Sequence, residues 1–326
     1  MRRNDHDVTD RIRTTDLKQV SGEVTRIYKG LYNGTPSTPI KRGFADIGRL
    51  YGGKYPGFKP CDTEYHDIQH VLDVTLAMAR LMDGYERSRE VTRSRVSGSP
   101  PLTPACFSLG VISALFHDFG YLRRRNDRRH RYGAEYTLTH VTRGSRHLRR
   151  YLPRIGLKRY ARAGATLVHY TGYERPAETI PLNDMLLRRV GHMLGTADII
   201  AQMADRCYLE KCRDRLYPEF VLGGLTKKRL ASGREEILFT SGDDLVRKTP
   251  GFYLNAAKRL DLQLARAYEY AGRHFKGQNL YLEEMQKNVR YAQAVGSAPT
   301  AATLRREPPR TLLKGVEPYP SDLVIR

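Results

Sequence analysis

The 326-residue chain reads as an all-α protein. Three observations lead there. Apolar residues recur at helical spacing along most of the chain. Strand signals are nearly absent, the best being Glu236–Thr240, which has no evident partner. The run from Ala105 to His117, ACFSLGVISALFH, is apolar almost all round, and a helix without a polar face is a buried, central one.

Residues 1–40 read as a partly disordered arm holding one short amphipathic helix, Val20 to Leu31, broken by Asn33-Gly34-Thr35-Pro36. A helix is predicted from Thr63, its expected N-cap, to Met82. Gly84 to Pro104, charged and then Ser/Gly/Pro-rich, reads as a loop. After the apolar run come a basic loop, Arg123 to Arg131, and helical segments at Glu135–Tyr151, Lys158–Tyr170 and Asn183–Tyr217. Lys248-Thr249-Pro250-Gly251 reads as a break before helices near 252–271 and 279–294. The helical domain is thus expected over residues 41–295, with a basic, poorly ordered tail over 296–326.

Composition removes several function classes. Cys61, Cys106, Cys207 and Cys212 form no CxxC pair, so neither a zinc ribbon nor a dithiol redox motif is present. Four cysteines in so long a chain do not make a disulfide scaffold. The charged N-terminus lacks the apolar core of a signal peptide, and no run reaches the roughly 18 apolar residues of a membrane helix. A cytoplasmic protein with reduced thiols and no membrane association is expected. The net charge of +21, from 56 basic and 35 acidic residues, draws anionic partners: phosphate-containing substrates such as nucleotides, nucleic acid, or anionic lipid headgroups. A merely solvated basic surface would have the same composition.

Three segments carry candidate chemistry. In Tyr65-His66-Asp67-Ile68-Gln69-His70 the two histidines are four apart, which on a helix places both on one face. They can share a metal, or divide the work between ligand and proton donor. In Phe116-His117-Asp118-Phe119-Gly120 a His-Asp pair ends the apolar run, and Gly120 reads as the helix stop. An imidazole and a carboxylate buried there are costly unless paired or bound to metal. In the segment Gly195 to Asp205, Asp198, Gln202 and Asp205 place three polar groups on one face of an apolar helix. The bland readings are a pair of polar residues near a helix start, a common dipeptide and an N-cap aspartate.

Taken in order, His, His-Asp and Asp on three helices resemble the HD superfamily of metal-dependent phosphohydrolases. YHDIQHVLDV looks like the YHNxxHxxDV segment of cyclic-nucleotide phosphodiesterases, and GTADIIAQMADRCYLEK is similar to the last-ligand helix of bacterial phosphodiesterase-like proteins. The likeness covers about residues 44–225. It implies an HD-domain helical bundle with His70, His117, Asp118 and Asp198 as ligands of a first metal. Asp118 would bridge to a second metal, and His66 would be the proton donor to the leaving oxygen. Glu135 and His140 would lie behind the ligands or on the second metal. The implied cofactors are two divalent ions, drawn from Mn, Mg, Zn, Fe, Co and Ni. The chain departs from the pattern at Asp67, where Asn is usual, and at Tyr121, where a further histidine is common. No purine-selecting glutamine is evident. The cyclic-dinucleotide class fits worse, because Thr171-Gly172-Tyr173 is followed by Glu174 rather than Pro.

The expected function is hydrolysis of a phosphodiester, cyclic-nucleotide-like; the basic loop Arg123 to Arg131 reads either as a guide for the anion or as a solvated charged loop. The alternatives are a nucleotide phosphatase or pyrophosphohydrolase of the same superfamily, and a nucleic-acid-binding or regulatory protein with a structural metal. The natural substrate and the oligomeric state are not given by the sequence.

Overall fold

In the computed structural model, the structure describes residues 2–92, 100–230, 232–296, 304–320 and 323. The chain is all-α, as its periodicity predicts. The elements are α1 (Leu17–Leu31), α2 (Thr38–Tyr51), α3 (Ile68–Thr92), α4 (Pro104–Phe116), α5 (His140–Tyr151), α6 (Ala161–Leu167), α7 (Met185–Ala204), α8 (Tyr208–Lys211), α9 (Tyr217–Leu222), α10 (Gly242–Leu262), α11 (Glu269–His274) and α12 (Leu280–Gly296). A short antiparallel hairpin pairs β1 (Lys227–Arg229) with β2 (Glu235–Ile237), Lys227 opposite Ile237. No helix among the described residues is long and apolar enough to cross a membrane.

Three helices form the centre. α3 packs on α1, α4, α7 and α11, and α4 also touches α2 and α7. Every residue of α4 from Cys106 to Phe116 is buried, so its all-round apolar sequence has its expected place. Caps fix the helix starts. Thr103 accepts from the Cys106 amide with Pro104 following, Asp184 accepts from Leu187 at the head of α7, and Asp16 accepts from Lys18 and Gln19 at the head of α1.

Several boundaries differ from expectation. The first forty residues are not a loose arm. Val20, Val24, Ile27 and Tyr28 of α1 sit in the core, and α2 already begins at Thr38. Ahead of α1, the buried Asp7 accepts from Arg80 Nη2 at 2.5 Å, while Arg80 Nη1 donates to Tyr281 at 3.0 Å. A guanidinium inside α3 needs such a partner, and that demand holds the N-terminal segment down. α3 starts at Ile68 rather than Thr63, because Asp67 takes the cap: its Oδ1 accepts from the His70 amide at 2.9 Å. Thr63 instead donates its hydroxyl to the His66 carbonyl at 2.7 Å. α3 then runs on to Thr92, through the first part of the expected loop, and residues 93–99 of that loop lie outside the described residues. The helix expected from Glu135 begins at His140, after a 3-10 turn Gly133–Tyr136.

Pro250 does not break the chain but sits inside α10. A proline there removes one backbone hydrogen bond. Burial of Leu245, Val246 and Thr249 before it, and of Ala256, Arg259 and Leu260 after it, carries the helix across. The strand expected alone at Glu236–Thr240 finds β1 as its partner. Residues 304–320 form neither helix nor strand, yet they lie against the body: Arg215 donates to the carbonyls of Pro308 and Pro309, and Thr311 donates to Asp67.

Candidate metal centre

The three central helices deliver the predicted ligands to one point. His70 enters from the first turn of α3, His117 caps the C-terminus of α4 with Asp118 directly after it, and Asp198 projects from α7. His70 Nε2 lies 3.2 Å from His117 Nε2, 3.2 Å from Asp118 Oδ2 and 3.4 Å from Asp198 Oδ1. His117 Nε2 lies 3.1 Å from Asp118 Oδ2 and 3.8 Å from Asp198 Oδ1. His70, His117 and Asp118 are buried, and the Asp198 side chain is 13 % exposed. The buried His70–His117–Asp118 group can hold a metal ion.

Local chemistry aims these donors. His117 Nδ1 donates to the Ala114 carbonyl at 2.8 Å, one turn back on α4. That bond puts the ring proton on Nδ1 and leaves the Nε2 lone pair facing the cluster. Gln202, one turn beyond Asp198, donates Nε2 to the Asp198 carbonyl at 3.2 Å and to Oδ1 at 3.4 Å. Its Oε1 accepts from Tyr65 at 3.1 Å. Asp205, expected on the same face, turns away: it accepts from Lys211 Nζ at 2.5 Å and from the Cys207 amide.

The electrostatics ask for a cation. Burial works against a charged imidazole, but Asp118 and Asp198 outweigh it and hold His70 at about 10. His117 is also raised, by the same carboxylates against the same burial. Asp118 lies well below the carboxylate range, because the neighbouring imidazoles overcome the cost of burying it. A proton shared here therefore stands where a positive ion would be stabilised. Asp118 Oδ2 is buried without hydrogen-bond geometry to any group, although two imidazole nitrogens lie within 3.2 Å. Donors about 2.1 Å from one ion stand roughly 3.0–3.5 Å apart. Two imidazole nitrogens and Asp118 Oδ2 at such spacings suit a divalent transition metal, with Asp198 Oδ1 at the edge of the group, 3.4 Å from His70 and 3.8 Å from His117. The residues present fit the ion.

His66 lies beside this set, not within it. Because α3 begins after it, His66 and His70 do not share a helix face, contrary to expectation; their rings stand 5.7 Å apart. His66 is held by Glu219, whose Oε2 is 2.5 Å from its Nδ1. Glu219, on α9, is 1 % exposed, and its Oε1 accepts from the Tyr65 amide at 2.7 Å and the Tyr319 hydroxyl at 3.3 Å. With Nδ1 engaged, Nε2 is the atom free for proton transfer. The sequence reading missed Glu219. Its signal was a carboxylate inside the apolar stretch Tyr217 to Leu222, just past the expected helix end at Pro218.

Tyr121 packs against two histidines. Its ring stacks on His66 at 4.4 Å and on His140 at 4.4 Å. His140 Nδ1 lies 2.6 Å from the Thr137 carbonyl, and Nε2 points toward Asp118 Oδ1 at 3.7 Å. Burial lowers the His140 pKa, favouring the neutral, ligand-competent form. Asp118 thus turns one oxygen to His70 and His117 and the other to His140. Glu135 is not brought to the cluster; its Oε1 accepts from the amides of Arg131 and Tyr132 and closes the turn before α5.

Gly120 does not end α4 through a left-handed conformation. It lies in the 3-10 turn Phe119–Tyr121, and a Cβ there would stand 1.9 Å from the His140 carbonyl oxygen. The missing side chain lets α5 approach Asp118. The basic loop is also partly structural: Arg123 pairs with Asp62, Arg124 lies over the Phe58 ring at 4.4 Å, and Arg125 donates to the carbonyls of Phe58 and Gly53. No family model, curated protein or solved structure matches the chain.

Proposed function

We propose that the chain is a metal-dependent phosphohydrolase that opens a phosphodiester, cyclic-nucleotide-like, with His66 as general acid. The observation that carries this reading is the pairing of two units: a buried His70–His117–Asp118 donor group with Asp198 at its edge, and a separate histidine held by a buried carboxylate with its ring 5.7 Å from His70. The first suits a cation that binds phosphate; the second suits proton delivery to an oxygen leaving that phosphate. The likeness of these segments to HD-type phosphodiesterases points the same way.

His70, His117, Asp118 and Asp198 would hold the first divalent ion. Asp118 and His140 would hold a second ion, a reading supported by the split orientation of Asp118, with His140 beyond its Oδ1. The candidates are Mn, Mg, Zn, Fe, Co and Ni. When bound, such ions bind phosphate oxygens and acidify water. The chain's own part is to position and to move a proton. Glu219 holds the His66 ring by Nδ1, Tyr121 supports its face, and Nε2 hands the proton to the leaving oxygen as negative charge grows there.

The test is hydrolysis of bis-p-nitrophenyl phosphate with added Mn²⁺ or Mg²⁺, alongside metal content, for wild type, Asp118→Ala and His66→Ala. Metal and activity should both vanish in Asp118→Ala, whereas His66→Ala should keep metal and lose activity. A folded, reconstituted wild type with neither metal nor hydrolysis would overturn the proposal. Release of inorganic phosphate from nucleoside monophosphates, without diester cleavage, would replace it with the phosphatase reading.

A further inference from the structure

The exposed charge of this protein is arranged in two different ways. At several surface positions an exposed basic side chain meets a carboxylate within one helical turn: Arg26 with Glu23, Lys248 with Asp244, Arg266 with Glu269 and Lys287 with Glu284. Between Arg123 and Arg162 few carboxylates are at hand. This stretch carries thirteen Arg and one Lys against only Asp127 and Glu135. Eleven of the fourteen are exposed and, among the described residues, form no ion pair.

These charges sit on rigid elements. α5 buries Val141, Gly144, Leu148 and Tyr151 on one face, which turns Arg146, Arg149 and Arg150 outward. The 3-10 turn Leu152–Ile155 continues the line with Arg154. The loop before α5 is locked to it: Arg143 donates to the Leu122 carbonyl at 2.8 Å, and His147 of α5 stacks on Phe119 at 3.5 Å. Burial, and then Arg124, Arg154 and Arg150 in turn, push the His147 imidazole down to about 3. Arg124 of the loop, Arg150 of the helix and Arg154 of the following turn thus stand around one side chain of α5. Held like charges repel and weaken the fold, so such an arrangement is useful where a polyanion supplies the missing charge.

Position and composition narrow the partner. α5 begins at His140, whose Nε2 faces Asp118, so the arginine row starts at the edge of the metal centre and runs away from it. Its 12 residues extend about 18 Å, the length of roughly five nucleotides of backbone. Arginine rather than lysine dominates, and its planar fork suits phosphate oxygens. Leu138 is the only large apolar side chain exposed on this stretch, too little for insertion into a bilayer. We infer that the face formed by the Arg123–Arg131 loop, α5 and the turn after it binds the phosphate backbone of a nucleic acid, independently of base sequence. The inference does not rest on the hydrolase reading, because it needs no metal.

The test is fluorescence anisotropy of a labelled 30-nucleotide single strand over a salt series. It compares wild type, the combined Arg146→Ala, Arg149→Ala, Arg150→Ala and Arg154→Ala variant, an Arg128→Ala/Arg129→Ala variant, and an Arg26→Ala/Arg266→Ala control. Wild type and Asp118→Ala should bind equally. The fourfold variant should bind at least about tenfold more weakly, with a salt slope about 3 smaller, since each lost phosphate contact removes about 0.7. The Arg128/Arg129 variant should lose about half as much slope, and the control should bind as wild type. Unchanged binding in both face variants, or an equal loss in the control, would overturn the inference. So would tighter binding of wild type to phosphatidylserine vesicles than to the oligonucleotide at equal phosphate concentration.

Discussion

Stripping metal from the protein should expose a specific dependence of stability on pH. His70 is held at about 10 against an ordinary 6.5. Between those values the folded chain keeps a proton that the unfolded chain has lost. Stability contributed by this group is complete below 6.5 and falls as pH rises toward 10. At about 1.4 kcal/mol per pH unit the loss reaches about 3 kcal/mol by pH 8.5 and about 5 kcal/mol by pH 10. A divalent ion takes the proton's place, so its stabilising effect should grow by the same amount over the same interval. Asp73, pushed to about 8 by burial and by Asp205, contributes a slope of the same sign below pH 8. It is not among the ligands, and comparing metal-free with metal-loaded protein cancels it. The assay is urea unfolding at pH 6.5, 7.5 and 8.5, in chelator and in Mn²⁺. The gain from Mn²⁺ should widen by about 3 kcal/mol across that range in wild type. It should widen much less in Asp118→Asn, where the carboxylate that most raises His70 is gone. A gain from Mn²⁺ that stays constant from pH 6.5 to 8.5 would refute the assignment of His70 as the protonated member of the empty cluster.

Two substitutions test the proposed ion site and the proposed proton donor separately. Gly120→Ala places a methyl 1.9 Å from the His140 carbonyl oxygen and 2.4 Å from its carbon, so α5 must retreat. A loss of about 1–3 kcal/mol in urea unfolding is expected, and stability within 0.5 kcal/mol of wild type would show that α5 does not need this approach. Glu219→Gln keeps the size of the side chain that holds His66 but removes its charge. Turnover of a diester substrate should fall about 10- to 100-fold with bound metal and KM little changed, whereas loss of metal in this variant would place Glu219 in the ligand set rather than behind His66.

The parts of the fold that were legible in the sequence are those where one local pattern decides. α4 announces itself because thirteen residues carry no polar face. The arm was misread because its order comes from a distant demand. Arg80, buried in α3, needs a counter-charge, and Asp7 supplies it from 73 positions away. The interrupted Pro250 region was misread for a similar reason. Proline is a local signal against a helix, but burial of α10 on both sides of it is a tertiary term that a short window does not contain.

At the site, the same distinction falls between ligands and the groups that orient them. A proposed ligand is visible because it violates its surroundings: His117 and Asp118 end an apolar helix, and Asp198 interrupts another. Groups that orient ligands violate nothing locally. Glu219 is 153 positions from His66, and Tyr319 reaches the same carboxylate from a segment read as a loose tail. His66 itself was placed on a helix it precedes, because Thr63 and Asp67 are both plausible caps and only the packed chain decides between them. Once Asp67 caps α3, His66 is released from the helical spacing and can swing toward Glu219, while His70 stays in the first turn and points at His117. The difference of one turn in a helix start thus puts one histidine in the buried His/Asp cluster and leaves the other beside it, held by a carboxylate. Two histidines four residues apart can then do two different jobs, and two imidazoles fixed on one helix face would have been drawn to the same ion.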